Sequence, residues 1–234
     1  MAPRVAPPRV QVGRSAGPSR PVRKFVPMAM RGQNAKNRTS SGWSWLKRDK
    51  SVKNIESLDK IKDPAVYREV RRAISRFHSV LGVRNVNIVL ADLPKDPNTI
   101  GRHTSIPDEP LYIVLNKKYF NKSKQEVEQN VRSRYKSGWS TKTNKPVAHT
   151  VTHELAHALW TDNRRGANYR QAGDEIKALR KKWQHDRKRN ELGYGQYSRK
   201  NVDEFWAEVI TKAVHGTPDK YTEAAKEIIK KYNL

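Results

Sequence analysis

His153-Glu154-Leu155-Ala156-His157 sets two histidines four residues apart, with a glutamate directly after the first. On a helix, four residues advance about 400° and about 6 Å, so both imidazoles leave one face and can share one metal ion. Glu154 lies between them, where its carboxylate can take a proton from a water polarised by that metal. Val151, Leu155, Ala158 and Leu159 supply an apolar helix around the motif, and neither proline nor glycine interrupts it. His149 stands one turn before His153 on the same face. It can support a ligand from behind, compete as a ligand, or point into solvent.

Two histidines do not complete a catalytic site. Such sites take three protein ligands and keep one position open. The third ligand is sought in the segment from Tyr197 to Glu208, where Glu204 and Glu208 stand one helical turn apart among Phe205, Trp206, Ala207, Val209 and Ile210. Each carboxylate also has an ordinary reading. Glu204 can be the second half of a capping box with Asn201, and Glu208 a solvated face residue. A His/His/carboxylate set suits Zn2+ better than other divalent metals.

Tyr197 with Glu204 seven residues on, Asn201 three before that Glu, and Phe205-Trp206-Ala207-Glu208 after it resemble the catalytic domain of anthrax lethal factor and the related Pro-Pro endopeptidases. Those are zincins with a glutamate as third ligand, and Glu204 follows His157 by a similar interval, forty-seven residues. The likeness spans roughly 139–216. It implies His153, His157 and Glu204 as zinc ligands and Glu154 as general base. Tyr197 becomes the phenol that stabilises the tetrahedral intermediate or protonates the leaving amine, with Tyr194 the alternative. Glu208 becomes a carboxylate that orients a ligand histidine. The stretch Ser137-Gly138-Trp139-Ser140, taken with the segment from Val151 to Leu159, also resembles metallopeptidase-like domains of tailed-phage minor head proteins. Nothing matches the receptor-binding or substrate-docking domains of the toxin.

The positioning elements follow from caps and periodicity. Asp63-Pro64 opens a helix whose apolar residues Val66, Val70, Ile74, Phe77 and Leu81 recur until Gly82. Strands are expected over 86–90 and 111–115. Ser123 and Glu126 form a capping box for a helix to about Lys136, and 138–145 reads as loop. Helices are expected over 146–160 and 167–190, then from Asn201 to Gly216, with Thr217-Pro218 opening the last. This is an α+β order: an N-terminal helix, a small mixed sheet, the helix with the two histidines, and a C-terminal helical subdomain. The organisation expected is a basic arm over 1–48, a linker over 49–62 and a zincin-like metallopeptidase domain over 63–234. A peptide substrate needs a sheet edge, and the 111–116 strand is either that edge or an inner member.

The chain has 234 residues, 48 Lys or Arg against 23 Asp or Glu, and a net charge of +25, with only 35% hydrophobic residues and no cysteine. Disulfide frameworks, cysteine-ligated metals and thiol nucleophiles are thereby excluded. No apolar run is long enough to span a bilayer, and none follows Met1 as a secretion signal would require, so a phage virion or the cytoplasm is expected.

The first 48 residues hold eleven basic residues, among them Arg4, Arg9, Arg14, Arg20, Arg23 and Lys24, six prolines and no acid. Such a stretch is a solvated tail, a basic arm on nucleic acid or threaded through an assembly, or a targeting peptide. A targeting peptide would form an amphipathic helix that these prolines break. Lys181, Lys182, Arg187, Lys188 and Arg189 add a second basic cluster. Together they argue for contact with DNA or RNA phosphates, and such contacts are salt-dependent. Three functions are compatible: a zinc endopeptidase in a nucleic-acid-rich assembly such as a phage particle; a structural head or virion protein that retains the fold and binds DNA or neighbouring subunits; and a protease of DNA-bound proteins. The families of the third kind use another histidine soon after the motif, and here the interval to Glu204 offers only His185.

Overall fold

The computed structural model describes residues 49–82, 87–104, 112–163, 168–188 and 190–234. The arm with Arg4, Arg9, Arg14, Arg20, Arg23 and Lys24, and Arg189, lie outside the described residues. Among the described residues there are four strands and eight α-helices, an α+β arrangement. The strands are β1 (Lys53–Glu56), β2 (Asn87–Asp92), β3 (Gly101–Thr104) and β4 (Tyr112–Asn116). The helices are α1 (Pro64–Leu81), α2 (Lys117–Phe120), α3 (Lys124–Lys136), α4 (Pro146–Asn163), α5 (Tyr169–His185), α6 (Tyr197–Lys200), α7 (Val202–His215) and α8 (Lys220–Tyr232). No helix among them is long and apolar enough to cross a membrane.

The sheet order is β1-β2-β4-β3, with β2 and β4 parallel and both outer pairs antiparallel. The strand expected over 111–115 is thus an inner member, and among the described residues the edge next to it is β3. The reason is visible in β4 itself: all five of its residues are buried. An edge strand with a solvated face would alternate instead. Its side chains divide by parity between two cores. Ile113 and Leu115 join the helices, while Tyr112 and Val114 meet Val52, Val89, Ala91 and Leu93 on the other face. The 49–62 stretch, read from sequence as linker, holds β1 and a 3-10 turn (Leu58–Lys60), and buries Val52 and Ile61.

Asp63 caps α1, one carboxylate oxygen accepting from Ala65 N and Val66 N, and its other oxygen accepts from Lys124 N at the start of α3. One side chain therefore ties two helix starts together. Gly82 closes α1 with φ 69°, in the left-handed region. The box of Ser123 and Glu126 forms as expected. The fifth helix stops at His185, short of 190, because Trp183 is its last buried side chain and the residues beyond it are polar. Asp219, just after Thr217-Pro218, caps α8 through Tyr221 N and Thr222 N.

The centre of the fold is the pairing of α4 with α7. From Pro146 to Trp160 every α4 residue except Thr150 is buried, and so is α7 from Phe205 to His215. Helices enclosed on all sides lack the one-faced pattern of surface helices. Trp160 Nε1 donates to Asp203 Oδ1 at 2.6 Å, which sets the register of the pair. Near its other end, His215 Nε2 meets Thr152 Oγ1 at 2.8 Å.

Burial pushes the His215 imidazole down from 6.5 to about 4. Between those values the unfolded chain binds the proton that the folded chain refuses, so stability falls as pH is lowered through this window. We expect a loss of up to ~3 kcal/mol from this group by pH 4.5. Urea unfolding at pH 7 and pH 4.5 checks it, the decline being correspondingly shallower in His215→Gln.

Candidate metal centre

Helix α4 sends His149, His153 and His157 from one face, and α7 brings Glu204 and Glu208 against them. His153 Nε2 and His157 Nε2 are 3.1 Å apart, and Glu204 Oε2 lies 3.1 Å from the first and 3.2 Å from the second. Tetrahedral coordination at about 2.0–2.1 Å separates ligand atoms by roughly 3.3 Å. The three atoms therefore form a triangle of the size a metal ion needs, and they could hold one. Without a metal the place still demands a cation. Burial alone would lower the His153 pKa, but the carboxylates of Glu204 and Glu208 outweigh it and raise the pKa to about 10. Burial opposes ionisation of Glu204 too, yet the two imidazoles hold its carboxyl well below the usual range.

Glu204 reaches the triangle because Asn201 caps α7 alone. Asn201 Oδ1 accepts from Glu204 N at 2.8 Å, while the Glu204 carboxylate turns to the histidines instead of back to the cap. The capping-box alternative is thereby removed. Glu208 is 1% exposed and not a solvated residue. Its Oε2 accepts from Thr141 N at 2.7 Å, and its Oε1 lies 3.2 Å from His153 Nδ1, in ion-pair range though not aligned as a hydrogen bond. A carboxylate behind Nδ1 keeps the proton there and turns the Nε2 lone pair toward the triangle.

His149 is buried as well, 3.8 Å from Glu208 Oε1 and edge-on to Tyr135, and burial lowers its pKa to about 4. His149, His153 and Glu208 form a second, looser trio. The trio with Glu204 is tighter, and its carboxylate is the more open to approach.

Glu154 Oε2 accepts from His103 N of β3 at 2.8 Å. Burial works against its charge, but the His103 ring, with Nδ1 3.8 Å away, and the rings of His153 and His157 keep the pKa below its usual value. The strand can come this close because residue 101 is glycine. A Cβ there would meet Glu154 Cγ and Thr150 Cγ2 at 3.0 Å. The His103 ring also stacks on His157, with centroids 4.8 Å apart.

Tyr197 starts α6 and lies edge-on to His153, with centroids at 5.9 Å. It is held by Tyr197 N donating to Trp139 O at 3.0 Å and Gln196 N to Gly138 O at 2.8 Å. Only a glycine at 195 permits this clasp, since a Cβ would sit 2.5 Å from Trp139 O. Tyr194 is elsewhere, its hydroxyl donating to Asp219. Two cavities flank the Glu154 carboxylate along β3, one of about 320 Å³ toward Asn98 and one of about 370 Å³ toward His103 and Glu204.

The structure thus gathers His149, His153, Glu154, His157, Tyr197, Glu204 and Glu208. Lys181, Lys182, Arg187 and Lys188 are exposed around the end of α5 and take no part in this cluster. Sequence reasoning missed Gly101, His103, Arg134 and Thr141 as parts of the site. Only the glycine could have hinted at a close backbone approach. Trp139 is 45% exposed at the rim. Comparison of the chain with protein-family models, with curated proteins and with solved structures finds no match.

Proposed function

We propose that this chain is a zinc-dependent endopeptidase of the lethal-factor-like zincin type. The observation that carries the reading is the triangle of His153 Nε2, His157 Nε2 and Glu204 Oε2 beside the buried Glu154 carboxylate. Zn2+ held by these two imidazoles and one carboxylate would keep a net positive charge and would supply Lewis acidity and an acidified water. Glu154, kept ionised, accepts the proton released at that point and can pass it to the leaving amine. In this reading the Tyr197 hydroxyl, on a ring edge-on to His153, donates to the oxyanion. Among the described residues β3 has no partner strand on its side away from β4, and the backbone groups of Gly101 and His103 face that side, since Ile100 O faces Asn116 N. His103 N is taken there by Glu154, which leaves Gly101 N, Gly101 O and His103 O for a partner. An extended peptide can add there as a further strand. This edge replaces the 111–116 strand as the place for the substrate.

The test is metal dependence of peptide hydrolysis. Chelation should abolish cleavage of a denatured-protein substrate, and one equivalent of zinc should restore it. Cleavage that persists in fully metal-free protein would end the reading. Zinc retained at one equivalent with no cleavage would favour the structural virion protein.

The setting we infer, a nucleic-acid-rich assembly such as a phage particle with other virion proteins as neighbours, rests on the exposed Lys181, Lys182, Arg187 and Lys188 with the basic arm. Removing residues 1–48 should flatten the salt dependence of DNA binding, and an unchanged slope would contradict an arm laid on phosphates.

A further inference from the structure

Building on the peptidase reading, we propose that the cavity on the Asn98 side of the centre is a subsite for a carboxylate on the C-terminal side of the cleaved bond, recognised by Arg134. Antiparallel pairing gives a strand added to β3 the more stable ladder. The part of the peptide after the cleaved bond then lies beside the N-terminal end of β3, where Asn98, Thr99 and Ile100 border this cavity.

Among the described residues Arg134 is the one Lys or Arg lining it, and it is half-buried. No carboxylate of the described residues pairs with its guanidinium. Its one hydrogen bond among the described residues is a long one, Nη2 to Asn98 O at 3.5 Å. Arg102, facing the other cavity, is by contrast already engaged by Asp49 and Asp96 at 3.1 and 3.3 Å. The acids lining the Arg134 cavity are also occupied, Glu154 by His103 N and Glu208 by Thr141 N. The guanidinium of this residue, beside an open cavity, therefore retains donors for an incoming carboxylate, which it can bind through two parallel bonds.

The backbone of Arg134 is also fixed relative to the centre. Trp139 N and Ser140 N both donate to Arg134 O, at 2.9 and 3.3 Å, so the loop that holds Glu208 and Tyr197 is fastened to the same residue. The exposed Trp139 ring offers an apolar wall for the methylene groups of an acidic side chain. The same chemistry serves an Asp or Glu side chain and the free C-terminus of a short peptide.

The experiment uses zinc-loaded Glu154→Gln protein on a support and a pool of randomised octapeptides, N-acetylated and C-amidated. The retained peptides should be enriched roughly tenfold in Asp or Glu over Asn or Gln at one position. Arg134→Gln should abolish the enrichment, and Arg134→Glu should turn it toward Lys and Arg, with zinc content and melting temperature of both variants unchanged. Retention from a second pool free of Asp and Glu, present with a free C-terminus and lost on amidation, would assign the C-terminal carboxylate as the ligand.

Absence of retention, absence of acid enrichment in both pools, or enrichment that survives Arg134→Gln would overturn the subsite. Wild-type protein given the selected peptides should cleave on the N-terminal side of the acid, and cleavage on its other side would overturn the placement. Selection of acidic peptides that the wild type never cleaves would leave the subsite standing and remove the peptidase reading.

Discussion

Glu154→Gln is expected to lower kcat/KM for peptide hydrolysis by about 10²–10⁴-fold while the protein keeps its metal. The substitution is nearly isosteric, and the amide oxygen can still accept from His103 N, the contact that joins α4 to β3. What disappears is the capacity to take up a proton. Glu154 touches none of the three triangle atoms through the hydrogen bonds that connect them, so metal affinity should stay within a few-fold. Steady-state kinetics together with metal content and melting temperature read out all three quantities. Activity within about threefold of wild type would mean that another group serves as base.

Glu204→Ala should act on the metal itself. A partner behind a ligand costs about 10–100-fold in affinity when removed, and a ligand must cost more. We therefore expect Glu204→Ala to weaken zinc binding by more than ~100-fold and Glu208→Ala to fall within 10–100-fold, both measured by competition with a chromophoric chelator. The contrast separates the two trios. If the metal sat between His149, His153 and Glu208, the order of the two variants would be reversed.

Much of this site can be read along the chain because its ligands are carried by two long, well-signalled helices. Asn201 announces the start of α7, and the run from Phe205 to Ile210 announces its burial, so a carboxylate at 204 or 208 has few directions to take. Whether Glu204 would turn to its cap or to the histidines was not legible. That choice depends on how α7 lies across α4, which Trp160 and Asp203 set over forty-three residues of separation.

The edge strand was illegible for a different reason. Gly101-Arg102-His103-Thr104 has no apolar alternation and exists as a strand because β4 supplies its partners. The unbroken apolar run of β4 was, in retrospect, a signal of an inner strand and not of an edge. Arg134 carries no sequence signal at all. It lies in a helix rich in charge, and only the closure of the Trp139 loop over its carbonyl brings the cleft beside it.

The account depends most directly on where a metal lies. Anomalous diffraction at the zinc edge, from crystals of the zinc-loaded protein, should give one peak within coordination reach of His153 Nε2, His157 Nε2 and Glu204 Oε2, with Glu154 close by but not a ligand. A peak at the His149, His153 and Glu208 trio, or no peak with Glu204 swung into solvent, would contradict it.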